Sequence, residues 1–128
     1  MYPNDRRYSK EHEWVLIEPD GRALIGITHY AQDHLGDVVY VDLPRPGSKL
    51  AQSQKLGEVE SVKAVSDIFS PITGQVAEVN QGLMSKPELV NQDPYGMGWM
   101  VRLSAVNRAE LASLMTAQEY EEFLSKLE

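Results

Sequence analysis

Lys63 stands where chemistry could be done to a side chain rather than by it. It lies between Gly57–Val62 and Val65–Phe69, two runs in which polar residues fall between Val59, Val62, Val65, Ile68 and Phe69. Such spacing predicts two β-strands. A two-residue turn at Lys63-Ala64 joins them and carries the lysine into water at the tip of a hairpin. Nothing at such a tip would depress the pKa of the amine, so work as a buried base is excluded. An exposed primary amine on a turn is well placed to be gripped and acylated by another enzyme. Lysines at hairpin tips commonly do no more than solvate the turn, so the rest of the chain has to decide.

Composition narrows what the hairpin serves. The 128 residues are enough for one core, and one domain over 1–128 is expected. Hydrophobic residues make up 42% and charged residues 24%, the balance of an ordinary globular protein. No run approaches the roughly 18 apolar residues of a membrane span. Met1 to Arg7 has no apolar stretch behind its charges, so a cytoplasmic protein is expected rather than a secreted one. The net charge of -7 would repel nucleic acid and attract partners with basic docking faces. Without cysteine there is no disulfide, no thiolate nucleophile and no Cys-held metal; redox chemistry has to come from an attached group. His29 and His34 are not spaced to share one helix face, and no metal site is expected.

Short strands surround the hairpin. Tyr2 to Lys10 reads as an extended tail, Trp14–Ile17 as a strand, Pro19-Asp20-Gly21 as a turn and Ala23–Ile27 as the returning strand. Thr28 caps a short helix through Ala31 and Leu35, which Gly36 stops. Asp37–Leu43 alternates as a half-buried strand. Further strands are expected at Gln75–Val79 and Gly98–Leu103, with one irregular helical turn between Met84 and Val90. Asn107 with Glu110, and Thr116 with Glu119, have the spacing of capping boxes. The second opens an amphipathic C-terminal helix, with Leu114, Tyr120, Phe123 and Leu127 expected to pack on the body. Pro44-x-x-Gly47 and Pro71-x-x-Gly74 form a weak internal repeat on either side of Lys63. The expected fold is mostly β: a small flattened barrel with a short helix in its N-terminal half and a helix at its C-terminal end.

Several blocks, in order, carry a resemblance. They are Tyr8-Ser9-Lys10-Glu11-His12-Glu13-Trp14-Val15, Gly26-Ile27-Thr28, Leu35-Gly36-Asp37-Val38-Val39-Tyr40-Val41-Asp42-Leu43-Pro44, and Gly57 to Ala64. Glu78-Val79-Asn80, Leu89-Val90-Asn91, Asp93-Pro94-Tyr95-Gly96 and Gly98-Trp99 follow. Along nearly its whole length the chain resembles the glycine cleavage system H protein family. The resemblance implies a lipoyl/biotinyl-type barrel-sandwich hybrid with lipoate in amide linkage on Lys63. It implies a non-catalytic carrier. A pyridoxal-phosphate glycine decarboxylase (P protein) loads an aminomethyl group onto the lipoyl arm. The aminomethyltransferase (T protein) takes it on to tetrahydrofolate, and dihydrolipoamide dehydrogenase (L protein) reoxidises the dithiol. A lipoate ligase or lipoyl/octanoyl transferase would attach the arm.

By position within that resemblance, Glu13, His34 and Asp67 are expected to line a cleft that shelters the loaded arm, the two carboxylates pairing with its amine. Glu58 and Glu60 share one face of their strand and are expected to be read by the modifying enzyme. Four rivals stay open, the blandest of them a structural module that carries nothing. Biotin carriers favour methionines beside the lysine, where this chain has Val62 and Ala64. Lipoyl domains of 2-oxoacid dehydrogenases usually have Asp before the lysine. Some H-like proteins mainly relay lipoyl groups to other carriers.

Overall fold

Alternation of apolar and polar side chains sorts the strands into two antiparallel sheets with the core between them. The computed structural model describes residues 2–127. Strands β1 (Arg7–Tyr8), β2 (Glu13–Ile17) and β3 (Ala23–Ile27) form a meander, followed by helix α1 (His29–Leu35) and strand β4 (Val38–Asp42). Next come β5 (Lys49–Leu50), β6 (Lys55–Ser61), β7 (Val65–Phe69) and β8 (Gly74–Val79). The single turns α2 (Gly82–Ser85) and α3 (Leu89–Gln92) lead to β9 (Val101–Ser104), a 3-10 helix (Arg108–Ser113) and helix α4 (Ala117–Ser125). The six-stranded sheet runs β1-β2-β3-β9-β8-β5; the three-stranded sheet runs β4-β6-β7. Val15, Ile25, Val76, Val101 and Leu103 from the first meet Val38, Val41, Val59 and Ile68 from the second in one buried cluster.

A second cluster fastens the chain ends. Tyr8 stacks on Tyr120 of α4 with ring centroids 4.9 Å apart, and both are fully buried with Trp14. Trp14 lies flat over Gly26, where an added Cβ would come within 2.7 Å of the indole. Its Nε1–H donates to the Ile27 and Pro94 carbonyls at 3.0 and 3.1 Å. The residues read as an extended tail therefore end in a strand, β1, paired to β2 and bridged to Met115.

Local signals place most boundaries. Thr28 accepts from Ala31 N–H and Gly36 closes α1 with φ of 80°. Thr116 and Glu119 form the full capping box of α4. The other proposed box does not close. Asn107 accepts from Ala109 N–H, but the Glu110 carboxylate takes the N–H and hydroxyl of Thr73, at 2.7 and 2.8 Å, and the segment winds as a 3-10 helix. Leu127 is half exposed and Leu114 precedes α4, so of the four residues expected to pack that helix only Tyr120 and Phe123 do so from within it. Strand β9 begins at Val101, and the expected turn after Met84 is the pair α2 and α3. No helix among the described residues is long and apolar enough to cross a membrane.

Candidate functional site

One buried serine builds the turn between β6 and β7. Ser61 N–H donates to the Ala64 carbonyl at 2.8 Å. The Ser61 hydroxyl donates to the same carbonyl and accepts from the N–H groups of Lys63 and Ala64, at 3.2, 3.3 and 3.1 Å. Val62 and Lys63 thus occupy the centre of the turn, one residue earlier than the Lys63-Ala64 turn expected. Val62 N–H reaches the Asp37 carbonyl at 3.0 Å and ties the tip to the entry of β4. Lys63 is exposed, and its stem lies over Gly36: a Cβ there would sit 3.5 Å from Lys63 Cε.

The ground beneath that lysine is clamped by Asn91 of α3. Its Nδ2 donates to the Gln32 side-chain oxygen and the Gly36 carbonyl at 3.0 and 2.8 Å, and its Oδ1 accepts from Val38 N–H at 2.9 Å. Helix α1, the glycine under Lys63 and the start of β4 are held by one side chain. Nothing in the local pattern around Asn91 announces this, because its partners lie between 53 and 59 residues away.

Beside the turn, α1 and β7 enclose a groove of about 210 Å³ lined by Glu11, His12, Ile27, Tyr30, Ala31, His34, Leu35, Ser66 and Ile68. It adjoins a second hollow of about 360 Å³, which shares Glu11 and adds Ser9, Glu13, Phe69 and Ser70 among its walls. The floor of the first groove is aliphatic; the walls of the second are mixed, with Ser9, Glu13 and Ser70 beside Phe69, Pro71 and Leu114. In the first, His34 Nδ1 meets the Tyr30 carbonyl at 3.0 Å. A carbonyl only accepts, so the proton of this contact is assigned to Nδ1. The Tyr30 ring packs against both imidazoles, 4.0 Å from His34 and 4.6 Å from His12. Burial pushes the His12 imidazole down, with Glu11 opposing and His34 adding to the shift.

Glu13 is fully buried at the start of β2. Its carboxyl accepts from the Ser9 hydroxyl at 2.5 Å and from Phe69 N–H at 3.1 Å. Burial pushes this carboxyl up to about 7, against the pull of those two hydrogen bonds. Of the three cleft candidates, His34 lines the groove and Glu13 the adjoining hollow. Asp67 lines neither. Ser66 and Ile68 turn inward on β7, so the alternation of a strand sends Asp67 to the outer face. There it meets Lys55 Nζ at 3.3 Å, while the same ammonium donates to Glu58 at 2.7 Å. Glu58 and Glu60 share that outer face, since Val59 and Ser61 between and beside them are buried. An aliphatic groove near an exposed amine, with a neighbouring hollow that has a buried carboxyl in its wall, can hold an apolar chain and its polar or cationic end.

The sequence and the fold of this chain are similar to those of known proteins. Residues 6–127 fit the family model described as Glycine cleavage H-protein. The chain is 53% identical over 121 residues to the glycine cleavage system H protein of Symbiobacterium thermophilum, covering 94% of each chain. It is 50% identical over 120 residues to that of Bacillus velezensis, again covering 94% of each. The crystal structure of a glycine cleavage system H protein from Mycobacterium marinum superimposes with a TM-score of 0.87 at 40% identity, covering 97% of this chain and 99% of that one.

Proposed function

We propose, for a chain that belongs to the glycine cleavage H-protein family, that Lys63 holds lipoate in amide linkage and that the protein is the carrier of glycine cleavage rather than one of its catalysts. One observation carries this reading: an exposed lysine at the centre of a pinned turn, beside an aliphatic groove. The residues fit the group. Ile27, Ala31, Leu35 and Ile68 offer a lipoyl chain an apolar bed, and Gly36 leaves room for the lysine stem over the end of α1. Bound there, lipoate would supply a dithiolane able to accept a one-carbon amine and to return as a dithiol for reoxidation.

The chain's own residues have four tasks in this reading. Ser61 and Asp37 hold the tip still. Asn91 holds the platform. The groove wall excludes water from the stretch of chain nearest the protein. Glu13, with His34 nearer the tip, offers a cationic cargo a carboxyl whose ionisation is favoured once a positive charge arrives. Asp67 keeps its ion pair with Lys55 on the other face.

The partners that follow are the glycine decarboxylase, the aminomethyltransferase, dihydrolipoamide dehydrogenase and a lipoate-attaching enzyme. The acidic balance of the chain suits basic docking faces on these proteins. The decisive test is the intact mass of protein incubated with lipoate, ATP and a lipoate ligase, followed by peptide mapping. One lipoyl increment on Lys63 is expected. No increment, or an increment on Lys49, Lys55 or another lysine, would overturn the reading.

A further inference from the structure

The outer face of the three-stranded sheet carries an apolar patch that the groove does not use. Val39, Tyr40, Val62 and Val65 are exposed by 48, 55, 70 and 60%. Only three other large hydrophobic side chains among the described residues are as open, Met84, Met97 and Leu127, so the exposed apolar surface gathers around Lys63. A β-bulge between Val38 and Tyr40 produces part of it, turning both Val39 and Tyr40 to solvent where a regular strand would bury one. Cross-strand register sets Tyr40, Glu60 and Val65 in one row. The next row away from the tip is Asp42, Glu58 and Asp67, with Lys55 bridging the last two. Two exposed apolar side chains flanking Glu60 beside the modifiable lysine, backed by an acidic row, make a two-part surface that no fold requirement explains.

We propose that this face is the docking plate for the enzyme that acylates Lys63. The inference rests on the carrier reading and names the surface by which one of its partners recognises the chain. The unmodified protein has only its own surface to be read. The attaching enzyme has to select Lys63 from Lys10, Lys49, Lys55, Lys86 and Lys126, and it has no arm to grip; later partners can hold the arm itself. The fitting partner presents an apolar ridge to Tyr40 and Val65 and basic side chains to the Asp42–Glu58–Asp67 row. In the transfer the Lys63 Nζ attacks the acyl carbon of ATP-activated lipoate. The amide bond forms, the acyl–oxygen bond to the nucleotide phosphate breaks, AMP leaves, and the lysine ammonium releases two protons to solvent. Docking on the outer face leaves the groove on the inner face free to take the new arm.

The test compares two reactions on one pair of variants. Tyr40→Ser and Val65→Ser change exposed side chains, and Leu127→Ser is the control for an exposed apolar residue elsewhere. With ligase limiting, initial lipoylation of Tyr40→Ser/Val65→Ser is expected to fall at least tenfold, while Leu127→Ser matches wild type. The same double variant is then lipoylated to completion with excess ligase, and its reoxidation by dihydrolipoamide dehydrogenase is expected to stay within twofold of wild type. Unchanged lipoylation would overturn the plate. Equal losses in both reactions would overturn the assignment of the plate to the attaching enzyme. Wild-type protein that gains no lipoyl mass would overturn the carrier reading instead, and that result is scored before any variant is compared.

Discussion

A carboxyl held near neutrality makes folding sensitive to pH. Glu13 has an ordinary value of 4.5 and stands at about 7 in the fold. The folded chain keeps a proton there at pH values where the unfolded chain has lost it. The stability this gives is complete below the unfolded value and is lost as pH rises through the folded one, a change of about 3 kcal/mol. Glu13→Gln mimics the protonated carboxyl and should remove the slope. Its Tm should match wild type near the low end of this window and exceed it by several degrees above the high end. A wild-type Tm that runs parallel to the variant across the window would show the carboxyl to be ionised in the fold. At Lys63 the expectation is chemical: Lys63→Arg keeps the charge but offers no usable acyl acceptor, so the lipoyl mass increment should vanish. Residue-scale reading of the sequence succeeded where the signal was local. It placed Lys63 at the turn and Glu58 with Glu60 on one face. The resemblance puts Asp67 in the groove, although Ile68 beside it is a core residue and period-two alternation already sends Asp67 outward.

Elements succeed or fail here by what holds their ends. Helix α1 was legible from Thr28 and Gly36, because a cap and a stop are written within eight residues. The clamp that positions α1 was not, because Asn91 reaches back from another part of the chain. Asn91→Ala removes three hydrogen bonds and leaves the buried Gln32 amide and the Val38 N–H without their partner, a loss on the order of 2–4 kcal/mol. Urea denaturation should show that loss, and ligase-driven lipoylation should slow as the ground under Lys63 loosens; a variant as stable as wild type would mean the clamp is idle. The hairpin's acidic flank makes a separate expectation. Glu58→Lys with Glu60→Lys should slow lipoylation severalfold at low salt and change stability by less than about 1 kcal/mol, since exposed pairs contribute little. Equal rates at low salt would show that charge on this flank is not read. The asparagine-led box after β9 failed as a reading because a long-range acceptor need, the Thr73 N–H and hydroxyl, drew Glu110 away.

At the scale of the molecule, the C-terminal helix is a lock on the N-terminal strands. Tyr120 stacks on Tyr8, and its hydroxyl lies 2.8 Å from both the His12 imidazole and the Thr28 hydroxyl. Tyr120→Ala should therefore cost on the order of 3–5 kcal/mol, read by thermal or urea unfolding, whereas Leu127→Ala at an exposed position should cost little. The class of fold was legible from short alternating runs and turn residues. The pairing of β3 with β9 and of β8 with β5 was not, since no local signal says which strands become neighbours across the chain. The two ties that immobilise the hairpin tip, from Ser61 and from the Asp37 carbonyl, have a last consequence. A post that cannot sway contributes nothing to reach. An arm carried on Lys63 would sweep a volume whose radius is the arm's own extended length from a fixed centre. Each enzyme that serves it must open its reactive atom no deeper below the docking rim than that radius. The stiffness of a four-residue turn would thereby serve as a ruler for any active site that an arm on Lys63 has to enter.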